Sequence, residues 1–191
     1  GIAPATFRYD PADPTPTIGG PLLAPTGGYC DDTRLAQRDD TLAFTSSTLT
    51  RDVCVYGNPV VDLVHSSDNP CADLFVRVSE VDAKGRSQNV SEGYRRLVQT
   101  QKSKRGKRNV SIELDAIAHR FRAGSRIRLL VAGGWFPRYA RNLGTDEPVL
   151  TGRELKPAIH TLHYGKSRLR LPVGPSDLSG DRVADPDSDL G

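Results

Sequence analysis

The sequence predicts an all-β domain of antiparallel sheets, a sandwich or a barrel, and three observations carry that expectation. Apolar and polar residues alternate at a period of two in several short runs. The clearest is Leu74, Val76 and Val78 against Phe75, Arg77 and Ser79, the spacing that sends side chains to opposite faces of a strand. Turn signals separate these runs at the intervals typical of sandwiches and barrels. No stretch shows a sustained period of 3.6, so the alternation of strands and long helices that an α/β fold needs finds no place here.

Residues 1–28 come first. Pro4, Pro11, Pro14, Pro16, Pro21 and Pro25 interrupt any hydrogen-bonded ladder there. The stretch reads as an extended lead-in lying against two domains, because that length without regular structure is unusual in a free-standing one. Strands are then expected at residues 41–46, 52–56, 60–65, 73–81, 93–100, 109–114, 126–132, 159–164 and 168–171. Residues 66–97 read as strand, turn and strand, the turn being Asp82-Ala83-Lys84-Gly85, where glycine accepts the positive φ of a hairpin corner.

In the strand 126–132, Ile127, Leu129 and Val131 should face the core while Arg126 and Arg128 face water. Leu169 and Leu171 alternate with Arg168 and Arg170 in the same way. Both imply sheets with one wet face. One short helical turn is expected near residues 115–119. Residues 174–191 carry Asp177, Asp181, Asp185, Asp187 and Asp189 among glycine, serine and proline, and read as a disordered acidic tail. That leaves 29–173 as the sandwich.

With 191 residues the chain suits one domain rather than two. Its net charge of +3 comes from 26 basic and 23 acidic residues interleaved along the chain, which builds no strong field and implies no nucleic acid. The basic run Lys102-Ser103-Lys104-Arg105-Gly106-Lys107-Arg108 has no aromatic residues for base stacking and reads as a solvated loop. No apolar run is long enough to span a bilayer and no signal peptide is visible, so no membrane partner is implied. Cys30, Cys54 and Cys71 form no Cys-x-x-Cys pair and suit free thiols in a reducing compartment. A cytoplasmic location is expected; with no methionine in the chain the natural N-terminus stays unassigned, and secretion stays open.

No catalytic site is expected within this chain. A serine hydrolase of the α/β type needs a Gly-x-Ser-x-Gly elbow, and the nearest match, Gly165-Lys166-Ser167, continues to Leu169. His160 and His163 stand three apart on a strand and therefore on opposite faces, while His65 and His119 read as isolated. Asp31-Asp32 and Asp39-Asp40 lack the dense alternating ligands of a calcium loop. No metal or other cofactor is expected. The sequons at Asn89-Val90-Ser91 and Asn109-Val110-Ser111 fall in or beside strands and read as chance matches.

Four segments resemble one family, the C-terminal domain shared by X-Pro dipeptidyl-peptidases, cocaine-esterase-like hydrolases and α-amino-acid ester hydrolases. They are the 66–97 hairpin; Tyr9-Asp10-Pro11-Ala12-Asp13-Pro14 running into Pro16-Thr17-Ile18-Gly19-Gly20; Arg38-Asp39-Asp40-Thr41-Leu42-Ala43-Phe44-Thr45-Ser46; and residues 119–129 leading to Phe136-Pro137-Arg138-Tyr139 and Arg141-Asn142. The resemblance implies a jelly-roll β-sandwich, similar to galactose-binding-like domains. It also implies a non-catalytic role beside the α/β-hydrolase domain of the same parent protein, whose Ser-His-Asp triad would lie upstream. A homo-oligomer stays open.

In cocaine-esterase-like members, residues just after the Gly-Gly of the lead-in approach the acyl pocket of the catalytic domain, and the matching positions are Leu22 and Leu23. Trp135, Phe136 and Tyr139 form the densest aromatic cluster, with Trp135 standing where the family usually has a small polar residue. The cluster reads either as a plug closing one end of the sandwich or, with Arg138, Arg141 and Asn142, as the surface that docks on the hydrolase domain. The alternative from another class is a free-standing carbohydrate-binding module, with the Trp135 region as its aromatic platform.

Overall fold

The computed structural model describes residues 3–23, 25–97 and 106–175. The strands within them are β1 (Ala5–Tyr9), β2 (Thr41–Thr45), β3 (Val53–Gly57), β4 (Val60–Ser67), β5 (Ala72–Val81), β6 (Ser87–Leu97), β7 (Arg108–Glu113), β8 (Ile117–Phe121), β9 (Arg126–Ala132) and β10 (Ala158–Arg170). A single 3-10 turn, Thr33–Gln37, precedes β2. The pairing is nested and antiparallel: β5 with β6, β4 with β7, β3 with β8 and β2 with β9. A long hairpin bent at Asp82–Arg86 and then rolled upon itself gives this order, which is the jelly roll.

Because β9 also runs along β5, one sheet has the order β2-β9-β5-β6; the second is β1-β10-β4-β7, and β3 with β8 makes a two-stranded ribbon. Leu74, Val76 and Val78 of β5 meet Val61 and Leu63 of β4 between the sheets, and the ribbon adds Val55 and Phe121 to the same core. The β5–β6 corner closes as the sequence predicts, with Gly85 at φ 85° and the Asp82 carboxylate accepting from the amides of Lys84 and Arg86 at 2.8 and 2.9 Å.

The wet-face expectation holds for one sheet and fails for the other. Arg168 and Arg170 face outward from β10 and both donate to Asp62. Across β9 and β5, however, the outer face is a second core in which Phe75, Leu130 and Ala132 pack with Leu35 and Trp135. The reason is that Leu35 of the 3-10 turn, Trp135 and, from the lead-in, Ile18 cover this face, the lead-in being joined to the Trp135 segment by Thr17 N–H to Phe136 O at 2.7 Å and Phe136 N–H to Thr15 O at 2.9 Å.

Other expectations are corrected as well. Ala5–Tyr9 in the lead-in is strand β1, paired along β10, because Phe7 and Tyr9 alternate into the core between the prolines. The helical turn expected near 115–119 is instead β8, in which Ile117, His119 and Phe121 alternate with Ala118 and Arg120 against β3. The expected strands 159–164 and 168–171 are one strand, β10, which ends at Arg170 and is bulged between His163 and Arg168. There Ser167 Oγ donates to His163 O at 2.7 Å and accepts from Val64 N–H at 2.9 Å.

β6 begins at Ser87 rather than at 93; its expected end at 98–100, the basic residues of 102–105 and the tail from 176 onward lie outside the described residues. His65 does not stand alone, since it meets His160 inside the sandwich. Cys30, Cys54 and Cys71 are free thiols.

Candidate docking face and cleft-wall loop

Leu22 and Leu23 sit in a loop whose ends are joined at Gly20 and Gly28. Gly20 N–H donates to Gly28 O at 2.9 Å and Gly28 N–H returns to Gly20 O at 2.7 Å. Gly19, Gly20 and Gly28 have φ of 61°, 84° and 78°, the left-handed region that glycine enters without penalty. Leu22 is half-buried, with its N–H on Gly20 O at 2.8 Å. Leu23 is fully exposed.

Beneath this loop lies a buried charge cluster centred on Arg77 and Glu92 of the β5–β6 hairpin. Glu92 accepts from Arg77 Nε at 3.0 Å and from its Nη2 through one carboxylate oxygen, and from Arg138 Nη1 through the other. Arg77 Nη1 donates to Ile18 O at 2.7 Å and stands 3.6 Å from Asp32. Arg77, Asp32 and Glu92 are buried, so the charges survive only as a mutually neutralising set. Asn89 is buried too; its Oδ1 accepts from Cys30 N–H at 2.6 Å and its Nδ2 donates to Gly28 O at 3.0 Å. An amide engaged at both atoms inside the fold has no room for a glycan.

Residues 135–142 divide into an inside and an outside. Trp135 is 1 % exposed, stacked on Phe75 with centroids 4.0 Å apart and 4.4 Å from the Arg77 guanidinium. It is a core residue on the outer face of the β5 sheet and offers no platform for a sugar. Asn142 is buried as well, donating to Asp73 at 2.9 Å.

Phe136 is 42 % exposed. Arg138 and Tyr139 are half-buried, Tyr139 stacking on Tyr94 at 4.0 Å, and burial raises the Tyr139 phenol above its ordinary pKa. Arg141 is exposed, its Nη1 on Pro11 O at 3.2 Å.

Glu92 thus joins two segments far apart in sequence. Its carboxylate lies under Gly20, where an added Cβ would fall 2.7 and 2.8 Å from its oxygens, and it also holds Arg138. Beside the loop opens a hollow of about 310 Å³ bordered by Pro21, Tyr29, Glu92 and Ile117. Arg77, Glu92 and Asn89 escape a reading of the sequence as site residues. The signal that could have found Arg77 is its place on the same strand face as Phe75, flanked by Val76 and Val78.

The geometry defines a rolled antiparallel β-sandwich domain with a projecting apolar loop and a polar, aromatic flank. The chain belongs to the family of X-Pro dipeptidyl-peptidase C-terminal non-catalytic domains, which it matches over residues 3–170. It is 32 % identical over 182 residues to the cocaine esterase of Rhodococcus sp. strain MB1 Bresler, covering 88 % of this chain and 32 % of the esterase.

Among solved structures it resembles an aminopeptidase from a marine sediment archaeon, Thaumarchaeota archaeon, with a TM-score of 0.79 and 23 % identity over 91 % of this chain and 33 % of that one. It likewise resembles an α-amino acid ester hydrolase, with a TM-score of 0.80 and 21 % identity over the same shares of the two chains. These two likenesses are of fold. The chain spans about a third of the length of each of these relatives.

Proposed function

We propose that this chain is the non-catalytic β-sandwich domain of a serine-type ester or amide hydrolase, that it packs on the enzyme's α/β-hydrolase domain, and that Leu22 and Leu23 form part of the wall of the active-site cleft. The observation that carries the reading is the loop itself, a fully exposed Leu23 held on a stem closed by two reciprocal backbone hydrogen bonds. A leucine presented to water in this way contributes free energy only when an apolar partner covers it. Phe136 and Arg138 supply an aromatic and a charged group for the rim of the same contact, with Trp135 and Asn142 supporting that segment from inside and Tyr139 and Arg141 completing it.

Labelling with a fluorophosphonate probe tests the reading. The isolated chain is expected to stay unlabelled, while the intact parent protein carries the adduct on a serine N-terminal to Gly1. An adduct on any serine of this chain would overturn it.

A further inference from the structure

The stem of the Gly20–Gly28 loop is held by side chains that a regular strand could not have supplied together. Asn89 and Glu92 are three apart on β6, a spacing that sends them to opposite faces of an unbroken strand. Pairing between β5 and β6 passes from Val78 opposite Ser91 to Ser79 opposite Asn89, leaving Val90 unpaired. That bulge turns both Asn89 and Glu92 toward the lead-in. β-Bulges re-aim side chains in this way, and they are costly interruptions of a ladder retained where the re-aiming matters.

From this we infer that Asn89 and Glu92 are positioning residues that set where Leu22 and Leu23 stand, and so tune the size of acyl group that the parent hydrolase accepts. The inference rests on the reading of the two leucines as cleft wall. Asn89 fixes the far end of the stem through Gly28 O and Cys30 N–H. Glu92 fills the space under Gly20, and its partner Arg77 holds Ile18 O. Both ends of the loop are therefore anchored to one hairpin, while Leu23 at its tip is fully exposed. Position without local contact is what a wall residue needs if an outside surface is to complete it.

The test uses the intact parent protein and p-nitrophenyl acetate, butyrate and octanoate, reading the ratios of kcat/KM across the series together with Tm. Leu23→Ala is expected to change the octanoate-to-acetate ratio by about tenfold, the low end of the range that methylene-sized changes in an apolar pocket produce. Asn89→Ala is expected to move the same ratio in the same direction, and the double variant to move it no further than the larger single change. Gly28→Ala is the second probe, because its φ of 78° disfavours alanine while an added Cβ meets nothing within 4 Å. It disturbs the stem and leaves the core alone.

If Leu23→Ala shifts the ratio but Asn89→Ala and Gly28→Ala scale all three substrates by one common factor, the positioning role is overturned and the wall stands. An unchanged ratio in Leu23→Ala removes the wall, and the positioning role with it.

Discussion

His65 of β4 and His160 of β10 meet inside the sandwich, with Nε2 of the first and Nδ1 of the second 3.1 Å apart. One of these nitrogens carries the proton that the other accepts, and Phe7 stacks on the far side of His160 with centroids 4.6 Å apart. His65 Nδ1 and His160 Nε2 are buried with no partner, which leaves a second proton on either ring without an acceptor.

Stability should therefore fall in mild acid. Burial pulls the His65 pKa down to about 4, with Arg108 and His163 adding to the effect. Burial likewise pulls His160 down to about 3, with His65 and Arg108 adding. The unfolded chain takes up protons on both below its ordinary histidine pKa of about 6.5, while the native chain does not until pH approaches 4.

Between those limits the unfolded state holds more protons, so stability rises with pH, by up to about 1.4 kcal/mol per pH unit for each histidine, and is flat above the window. Urea denaturation at pH 7.5, 6 and 5 checks this. The double variant His65→Leu, His160→Phe is expected to flatten the slope. Equal stability of the original chain at pH 7.5 and 5 would count against a neutral pair.

Trp135→Ala should be among the most damaging single changes, although the residue lies outside the core between the sheets. The indole is stacked on Phe75 and under Arg77, and removing it leaves a cavity beside a buried guanidinium. Truncation of a buried aromatic costs about 3–5 kcal/mol, which lowers the Tm of a domain this size by about 10 °C. Trp135→Phe should lose less, because it keeps the stacking and removes an indole N–H that has no partner. Thermal unfolding of the two variants separates these outcomes.

Gly133 and Gly134 leave β9 directly against Tyr9, and they should respond differently to the same second mutation. A Cβ at Gly133 would fall 2.5 Å from Tyr9 Cβ, whereas one at Gly134 would meet ring atoms, the nearest being Cε2 at 2.8 Å. Overpacking of this kind costs about 1–3 kcal/mol or more. Tyr9→Ala should therefore rescue Gly134→Ala relative to the Tyr9→Ala background and fail to rescue Gly133→Ala. A double-mutant cycle in denaturant measures both.

How much of this was legible in the sequence depends on what each residue had to reveal. The alternation in β5 and β10 and the Asp82–Gly85 corner depend only on neighbours along the chain, and they were readable. β1 was not, because the prolines around Ala5–Tyr9 dominate any local reading and its partner β10 lies about 150 residues away. Leu130 and Ala132 looked like the second row of a half-wet strand. Only the folding of the 3-10 turn with Leu35, of Trp135 and of Ile18 from the lead-in across β9 and β5 makes that face a core.

The candidate site follows the same division. Leu22 and Leu23 enter as candidates through a family likeness to the Gly-Gly segment. Asn89 sat in a sequon and Glu92 among charged residues of a surface-like strand, and neither points to the loop until the bulge at Val90 and the fold of the lead-in bring them beneath it.

Asp73 should prove to be the fastener of the 136–142 segment. Its buried carboxylate accepts from Arg96 Nε and Nη2 at 3.0 and 2.9 Å, from Asn142 Nδ2 at 2.9 Å and from the Tyr94 hydroxyl. Arg96 in turn donates to Ala140 O at 2.7 Å, and Tyr94 carries the stacked Tyr139. Asp73→Ala strips one acceptor from three donors and leaves Asn142 buried without it, a loss of about 3–5 kcal/mol for a broken buried charge pair.

Asp73→Asn keeps the shape but turns one accepting oxygen into a donor that faces Arg96 together with either Asn142 or Tyr94, so it should recover only part of that loss. The same carboxylate, after burial, helps raise the Tyr94 phenol well above its ordinary pKa. After burial, Asp73 also raises the Tyr9 phenol, so in a spectrophotometric titration both late-ionising tyrosines should move earlier in Asp73→Ala if the variant is folded. Amide exchange should rise in 136–142 before it rises in β5. Uniform loss of protection across both would show instead that Asp73 stabilises the sandwich as a whole.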